Sequence, residues 1–594
     1  MPDPARLEPL DDPRPTRRPP PPEGTFEIAL VLAGAVSAGA YTAGVLDFLF
    51  EALETWAARK AAGAPDAPSH DVVIRVITGS SAGAITGAIA AAALGYRFPH
   101  VRASTSSTQA PANPFYNAWV KQIDIQDLLG KSDLGDGKTA PRSLLDSSKL
   151  QQIADQAIGY THPEAVRRPY IADPLRVILT VTNLRGVPYS LDLQGNAVTR
   201  HEMMSHADSM RFCVRGIGTQ PPESVWPDEV ALDTPKASGD TAGQARWNLL
   251  GTAALASGAF PLGLLPRGLS RPADDYRYRR VAAPGEQGEV VIPIVPSWGP
   301  AMPARYEFLC VDGGAMDNEP LELARQELAG LLGRNPREGT RAHRAVILVD
   351  PFPDAAVMGP AGSEDANLFG LGLAMAGAWK EQARFKPVDL ALASQDTVYS
   401  RFMVTPARGG DDELGRQGIA LAGGALGGFS GFLAEPYRHH DYLLGRRNCQ
   451  QFLRCHFTLP AGNPLFNGWP QALREKYLSD ASPQGCIAGR PEELPIVPLL
   501  GDCASPEPMP DWPIDAIDLD ALETSVQRRL DNVYGGIALG AVGRGLLAMG
   551  WSFFLRGKLT RFAMSKIEAA LLERKLLSKP WKPAPRPVDR LGRA

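Results

Sequence analysis

The amino-acid sequence predicts an α/β fold in three layers, with a mainly parallel central sheet between helices, followed by a mostly helical C-terminal region. Short apolar runs typical of buried strands alternate with helical segments up to about residue 350. Past residue 355 this alternation fades and helical patterns dominate. The chain has 594 residues, with 44% hydrophobic and 21% charged content, which is typical of a soluble globular protein larger than one ordinary domain.

The strands and helices of the first part follow one another in a regular order. A buried strand at 26–33 leads into a helix at 40–60, whose apolar residues recur at helical spacing. A second buried strand at 71–78 leads into a helix of small residues at 82–95. Because such crossovers connect parallel neighbours, the pattern predicts a parallel sheet covered on both faces. Further strands are predicted at 176–184, 306–312 and 344–350, separated by long irregular insertions around 216–245 and 270–305.

Composition divides the chain into four regions. Residues 1–24 contain nine prolines and no apolar run, so we expect a disordered arm there. An α/β domain over 25–355 follows, and a helical region over 356–533 comes after it. The last region, 534–594, is an apolar and basic tail.

The tail is strongly basic although the whole chain is weakly acidic. The formal net charge is −4, yet residues 541–594 hold twelve Lys and Arg against three Asp and Glu. A basic tail on an acidic body favours an anionic membrane surface as partner, and we expect no nucleic acid partner. The stretch 535–555 has the length of a membrane span, but Arg544 near its centre makes insertion costly. A helix on the membrane surface, a helix packed on the body and a spanning helix are the three alternatives.

The N-terminus and the cysteines point neither to export nor to a metal. Residues 1–24 lack the apolar segment of a signal peptide, so we expect a cytoplasmic protein. The basic tail adds a peripheral position on the inner face of the membrane as an alternative. Six cysteines in so long a chain form no dense disulfide framework and no CxxC pair, so we predict no metal site.

The stretch VITGSSAGAI (76–85) has the pattern of a nucleophile elbow, in which a serine stands on a tight strand-to-helix turn. Gly79 and Gly83 flank Ser81 at the two crowded positions of such a turn. The serine would stand at the N-terminus of the following helix, where amide groups and the helix dipole favour an oxyanion. The alternative is a close-packed turn without chemistry. A typical α/β-hydrolase has several strands before its elbow strand, whereas this chain has one, so we expect a different fold.

The loop 34–39 joins the first strand to its helix and should lie beside the elbow. It is not a P-loop, because Ala40 and Tyr41 stand where lysine and serine or threonine are needed. It is not a dinucleotide fingerprint either, because Val36 replaces a required glycine. The loop can still offer backbone N–H groups to an oxyanion, although a tight connection between strand and helix is the simpler interpretation.

An acidic residue follows the strand predicted at 306–312. In VDGGAMDNEP, Asp312 ends the strand and precedes Gly313 and Gly314. The carboxyl ends of parallel strands meet at one edge of a sheet, so Asp312 should lie near Ser81 and could accept its proton. An ordinary Asp-Gly turn is the alternative.

Together these pieces resemble the patatin-like phospholipase family, in the segments LAGAVSAGAY, GSSAG and DGG. ALASGAFPLGLLP (254–266) and VTNLRG (181–186) also look like family segments. The resemblance implies a three-layer fold, a catalytic domain at 25–355, and hydrolysis of a fatty acyl ester in a phospholipid, as phospholipase A or lysophospholipase, without a cofactor. It also implies residue roles. Ser81 and Asp312 would form a catalytic dyad, the oxyanion hole would comprise Gly34, Ala35, Val36 and Ala82, and Gly39, Gly79, Gly83, Gly313 and Gly314 would support these turns.

One departure from the family pattern leaves a second function open. The family's loop usually carries Arg or Lys, and the loop 34–39 has neither. The chain could therefore be a catalytically weak relative that acts as a membrane-associated scaffold or lipid-binding protein. A histidine triad is a further alternative, with His343 or the pair His439-His440 as the base, but no motif around these histidines aims them at the elbow.

Overall fold

The computed structural model describes residues 8–134, 141–192, 200–298, 302–352, 397–479, 492–536 and 556–582, with isolated positions between 378 and 395. The strands in these residues are β1 (Thr25–Leu32), β2 (Asp71–Gly79), β3 (Ile171–Asp192), β4 (Arg200–Arg215), β5 (Val230–Asp233), β6 (Arg267–Pro272), β7 (Arg280–Gly285), β8 (Gly288–Pro293), β9 (Arg305–Val311), β10 (Arg344–Val349), β11 (Arg401–Val404), β12 (Thr458–Pro460) and β13 (Glu493–Pro495). The longer helices are α1 (Gly39–Ala61), α2 (Ala82–Ala93), α3 (Ser148–Ile158), α4 (Thr241–Ser257), α5 (Leu321–Ala329), α6 (Glu435–Cys455), α7 (Gln471–Ser479), α8 (Leu519–Gly536) and α9 (Arg556–Glu573).

The central sheet is mainly parallel, which confirms the predicted α/β class. Its strands run in the order β11-β10-β1-β2-β3-β4-β5, and β9 joins β3 to β6. Neighbours from β11 to β3 are parallel, whereas β4 and β9 are antiparallel to β3. The predicted strands and the first two helices are all present with ends within three residues, apart from β3, which is much longer than predicted.

Helices cover both faces of the sheet because its strands are apolar on both sides. In β1, Ala29 and Val31 lie against α5 together with side chains of β10. Ile28 and Leu30 point to the opposite face, into the core that α1 and α2 share. This alternation of buried side chains forms the three layers predicted from the sequence.

The boundary predicted near residue 355 does not separate two cores among the described residues. The edge strand β11 comes from beyond this boundary and pairs in parallel with β10. Helix α6 packs along α1, and its buried side chains join the core of the α/β domain. The C-terminal region is therefore part of the same folded unit, because its apolar faces are buried against the first part of the chain.

A buried ion cluster fixes α6 on α1. The Arg446 guanidinium, fully buried, contacts the carboxylates of Asp47 at 2.6 Å, Glu51 at 2.5 Å and Glu507 at 2.7 Å. Burial alone would raise the pKa of Asp47, but His100 and Arg446 lower it to about 2. One buried cation of α6 thus links two carboxylates of α1 with that of Glu507.

Two regions differ from the sequence-based prediction. Residues 8–24 of the expected disordered arm lie on the α/β domain, where Arg14 Nη1 donates to Asp228 at 3.2 Å and Arg18 pairs with Glu223 at 2.6 Å. These ion pairs with distant residues hold a segment that has little apolar surface of its own. The insertion around 270–305, expected to be irregular, contains the antiparallel hairpin β7–β8.

The structure bears on the predicted tail only in part. Residues 537–555, which contain most of the proposed span, lie outside the described residues. Among the described residues, the stretch Val36–Ala61 is long and apolar enough to cross a membrane. However, 94% of its most apolar part is buried in the core. Helix α9 buries Met564 and Leu571 against the body, so this part of the tail is packed on the fold.

Candidate active site

Ser81 occupies a strained turn between β2 and α2. Its φ of 51° lies in the left-handed region, which non-glycine residues rarely adopt. The residue is the N-cap of α2, so its side chain stands at the helix end where amide groups lack partners within the helix. The Ser81 amide itself donates to the Ser257 hydroxyl at 2.8 Å, which fixes the turn from α4.

The two glycines of the elbow are required by close backbone contacts. A Cβ at Gly79 would lie 2.6 Å from the carbonyl carbon of Gly83, and a Cβ at Gly83 would lie 2.0 Å from the Leu32 oxygen. Any side chain at these positions would push the turn away from β1. The sequence-based explanation of the two glycines, relief of crowding, is confirmed by these distances.

The loop after β1 lies directly against Ser81. A Cβ at Gly34 would lie 3.0 Å from the Ser81 Cβ, and the Gly34 amide donates to the Asn318 carbonyl at 3.3 Å. Val36 has a φ of 50°, a conformation that a β-branched residue adopts only under strain. Four residues are predicted to form an oxyanion hole. Val36 and Ala82 line the cleft. The Gly34 N–H is used in the hydrogen bond to Asn318, and Ala35 does not line the cleft.

Asp312 follows β9 at the same edge of the sheet. Its Oδ1 accepts the Gly314 amide at 3.0 Å, and its carbonyl accepts the Thr182 hydroxyl at 2.7 Å. The Asp312 amide donates to Ala259 O, at the end of α4. The aspartate is therefore held by three elements that surround the elbow.

One narrow cleft contains the predicted catalytic residues. Ser81, Asp312, Val36 and Ala82 all line it, between apolar walls. None of the lining residues is a histidine. His343 precedes β10 at the opposite edge of the sheet, so the structure brings together the serine and the aspartate but not this base.

The remaining histidines of the alternative triad have other partners. His439 Nδ1 and the Tyr116 hydroxyl form a hydrogen bond at 2.8 Å. His440 is buried between Asp441 and Arg408, at 2.8 Å and 2.7 Å. Both pack in α6, and neither lines the cleft.

The cleft continues into an apolar cavity between α2, α3 and α4. The two spaces share five lining residues, Ile85, Trp119, Ile123, Leu150 and Leu255. Their volumes, about 60 Å³ and about 40 Å³, are well below the roughly 300 Å³ of an ordinary ligand pocket. Both spaces have apolar linings, and their walls must move apart to admit an acyl chain.

A glycine-rich segment, residues 421–433, covers the loop after β1. The Ser37 hydroxyl donates to the Gly428 carbonyl, and Phe432 lines the cleft. Asp441 of α6 holds the segment by accepting the amides of Ala422 and Gly423, both at 2.8 Å. The C-terminal region thus contributes to the wall of the site.

Sequence reasoning missed several residues of this site. Ser257 lies in ALASGAFPLGLLP, which carries no local signal for contact with the elbow, and Asn318 follows Asp312 in VDGGAMDNEP. Asn318 ties the Asp312 loop to Gly34, because its backbone carbonyl accepts the Gly34 amide at 3.3 Å and its Nδ2 donates to the Gly34 carbonyl at 3.5 Å. Arg267 and Phe432 carry no local motif that would have identified them.

Comparisons with known proteins give three similarities. The family model described as "Patatin-like phospholipase" matches residues 30–325. The "Uncharacterized protein y4iI" of Sinorhizobium fredii is 35% identical in an alignment of 535 residues that covers 85% of this chain and 74% of that protein. The crystal structure of VipD from Legionella pneumophila aligns over 97% of this chain and 94% of VipD at 10% identity, with a TM-score of 0.19, too low to carry a structural argument.

Proposed function

The chain belongs to the patatin-like phospholipase family, and from this premise we propose that it is a serine lipid acyl hydrolase of the phospholipase A or lysophospholipase type, with Ser81 and Asp312 as its catalytic dyad. The observation that supports this most is the meeting of Ser81 and Asp312, far apart in the chain, in one apolar cleft. The family supports lipid acyl hydrolysis in general. The dyad, the ester position and the lipid class are our proposal.

In the proposed reaction, the Ser81 Oγ attacks the carbonyl carbon of the acyl ester while its proton passes to the Asp312 carboxylate. The N–H groups of Val36 and Ala82 are the donors we assign to the oxyanion that forms. Collapse of the tetrahedral species breaks the bond to the alcohol, which leaves with the proton from Asp312. Water then attacks the acyl-enzyme and gives a proton to Asp312, and this proton returns to Ser81 as the fatty acid is released.

We also propose that the protein works at an anionic membrane surface. Helix α9 exposes Lys558, Arg561 and Lys566 beside the apolar side chains of Leu559 and Phe562. A helix face of this composition suits a bilayer with negative headgroups, to which each basic residue contributes about 1 kcal/mol. The cytoplasmic side of the membrane is the location that fits this proposal.

A second surface suited to a bilayer surrounds the mouth of the cleft. Leu144, Phe260 and Leu262 are exposed there, and backbone hydrogen bonds join Leu144 to Leu262 and Leu145 to Gly263. Leu262 is 80% exposed and has a φ of 65°, so the fold holds a large apolar side chain in water at a cost in backbone energy. We propose that this rim contacts the lipid surface from which the substrate enters.

The experiment for the catalytic proposal measures release of fatty acid from phospholipid and lysophospholipid by the whole chain. Wild type should release fatty acid, and Ser81→Ala and Asp312→Asn should each abolish most of the rate while remaining folded.

Membrane binding is measured separately, by sedimentation with anionic and neutral vesicles. A variant with glutamine at Lys558, Arg561 and Lys566 should lose anionic binding, whereas a control with glutamine at Arg97, Arg185 and Arg341, which are also exposed, should retain it. Vesicle binding without any hydrolysis would favour the lipid-binding scaffold instead.

A further inference from the structure

The cleft has one cationic side chain among the described residues that line it. Arg267 begins β6, where it pairs with Cys310 of β9, two residues before Asp312. This register brings the arginine to the edge of the sheet that carries the aspartate. Arg267 is therefore placed by the sheet itself, on a rigid element beside the proposed reaction centre.

The charge of Arg267 has no carboxylate partner at ion-pair distance among the described residues. Its Nη1 donates to Gln151 Oε1 at 2.9 Å, and the Gln151 amide in turn donates to Asp155 at 2.8 Å. Arg271, four positions along the same strand, instead contacts Asp275 at 3.0 Å and Asp208 at 3.7 Å. Arg271 thus has carboxylate partners, whereas Arg267 donates to a neutral amide.

The guanidinium of Arg267 is partly buried beside this neutral amide. Burial lowers the pKa of Arg267, and repulsion by Arg142 lowers it further, while Asp155 opposes this in part. A partly buried cation that donates to a neutral amide favours binding of an anion, because a charge-assisted hydrogen bond would offset the hydration that the cation has lost.

The surroundings of Arg267 indicate what kind of anion fits. Phe260, Leu264 and Leu265 line the same cleft, and the apolar cavity behind Ser81 extends from it. A ligand with a negative group next to an apolar chain satisfies both environments. A small inorganic anion would satisfy only the arginine.

We propose that Arg267 binds the phosphate of a phospholipid whose acyl ester lies at Ser81. This inference rests on the proposed function, and it adds that the substrate is selected by its phosphate from a position outside the loop 34–39, which has no basic residue. Arg267 is a residue of substrate binding in this account and takes no part in proton transfer.

The test measures binding without turnover, in the full-length Ser81→Ala protein. The probes are dihexanoyl phosphatidic acid and dihexanoylglycerol, which share the acyl chains and differ in the phosphate. The phosphate-bearing lipid should bind at least tenfold more tightly, and Arg267→Met should remove most of this preference, as expected for a charge-assisted hydrogen bond. Arg341→Met, at a side chain that is 76% exposed and precedes β10 at the opposite edge, is the matched control and should keep the preference.

Each result decides the proposal. Equal binding of the two lipids, or an unchanged preference in Arg267→Met, would overturn it, as would a failure of both lipids to bind. Inorganic phosphate is the competitor that separates the two sources of phosphate: displacement at similar concentrations by phosphate alone would show an anion site without a lipid role. If the binding results hold and the wild type hydrolyses neither lipid, the catalytic proposal fails while the phosphate site stands.

Discussion

Val36 and Ser81, from two different strand-to-helix connections, both hold a positive φ, 50° and 51°, and both line the same cleft. Each such conformation costs on the order of 1–3 kcal/mol and persists only where the surrounding structure imposes it. The restraint is visible at Ser81, whose amide is bound by Ser257. The strain therefore lies at the two positions where the proposed chemistry needs a fixed nucleophile and a fixed oxyanion donor.

Val36→Gly should raise stability and lower activity. Glycine adopts a positive φ without strain, so we expect the free energy of unfolding to rise by about 1 kcal/mol after the entropy cost of glycine is subtracted. The loop should also lose the rigidity that holds its amide, so kcat should fall. Ala35→Gly is the control, because Ala35 has an ordinary φ of −148° and should only lose stability. A Val36→Gly protein that is less stable than wild type would contradict this account of the loop.

Ser257→Ala should slow labelling of Ser81 by a fluorophosphonate. The substitution leaves the Ser81 amide without its acceptor, which costs about 1–3 kcal/mol and loosens the elbow. Ser80→Ala is the matched comparison, because the Ser80 hydroxyl is buried and has no hydrogen-bond partner among the described residues, so its loss should be neutral or stabilising. Equal labelling rates in the two variants would show that Ser257 does not position the nucleophile.

Arg446→Met should destabilise the protein by about 3–5 kcal/mol at neutral pH, because Asp47, Glu51 and Glu507 lose the buried cation that they share. His100 remains beside Asp47, and Arg102 remains beside Glu51. The pKa of Asp47 is about 2 in the fold against an ordinary 3.8, so its ionised form contributes stability above pH 3.8. This contribution should disappear as the pH falls towards 2, and the difference between wild type and variant should shrink over the same range. Denaturant unfolding across pH measures both effects.

The neighbouring Arg447→Met is the control for the ion cluster. Arg447 is half-buried and its guanidinium donates to the Glu507 carbonyl, so its loss should cost no more than about 1 kcal/mol. The free energy of unfolding could fall equally in the two variants, or the two could differ by an amount that does not depend on pH. Either result would show that the cluster does not hold α6 on α1 through its charges.

Leu262→Ser should reduce hydrolysis of lipid in vesicles more than hydrolysis of a dissolved short-chain lipid. The exposed leucine would lose about 1.5–3 kcal/mol of apolar transfer into the bilayer, while the cleft itself would be unaltered. Met203→Ser, at another exposed apolar side chain, on β4, is the comparison and should affect both substrates equally. If Leu262→Ser lowers the hydrolysis rates of both substrates equally, the rim does not contact the membrane as we propose.

The sequence predicts the parts of the fold that depend on local patterns. The apolar runs of β1 and β2 and the spacing of Gly79 and Gly83 are local, and the structure has them where they were expected. Arg267 could not be identified in this way, because its position depends on the register between β6 and β9. Phe432 reaches the cleft only through the packing of the C-terminal region, and the order of the N-terminal arm depends on ion pairs such as that of Arg14 with Asp228.

The Ser81–Asp312 dyad is tested most directly by mass spectrometry of the fluorophosphonate adduct. Hydrolysis rates for Asp312→Asn and His343→Ala complete this test. The dyad predicts a single adduct on Ser81, a loss of several orders of magnitude in kcat for Asp312→Asn, and near wild-type kcat for His343→Ala. An adduct on another serine, or full activity in folded Asp312→Asn, would contradict the dyad. So would a loss in His343→Ala as large as that expected for Asp312→Asn.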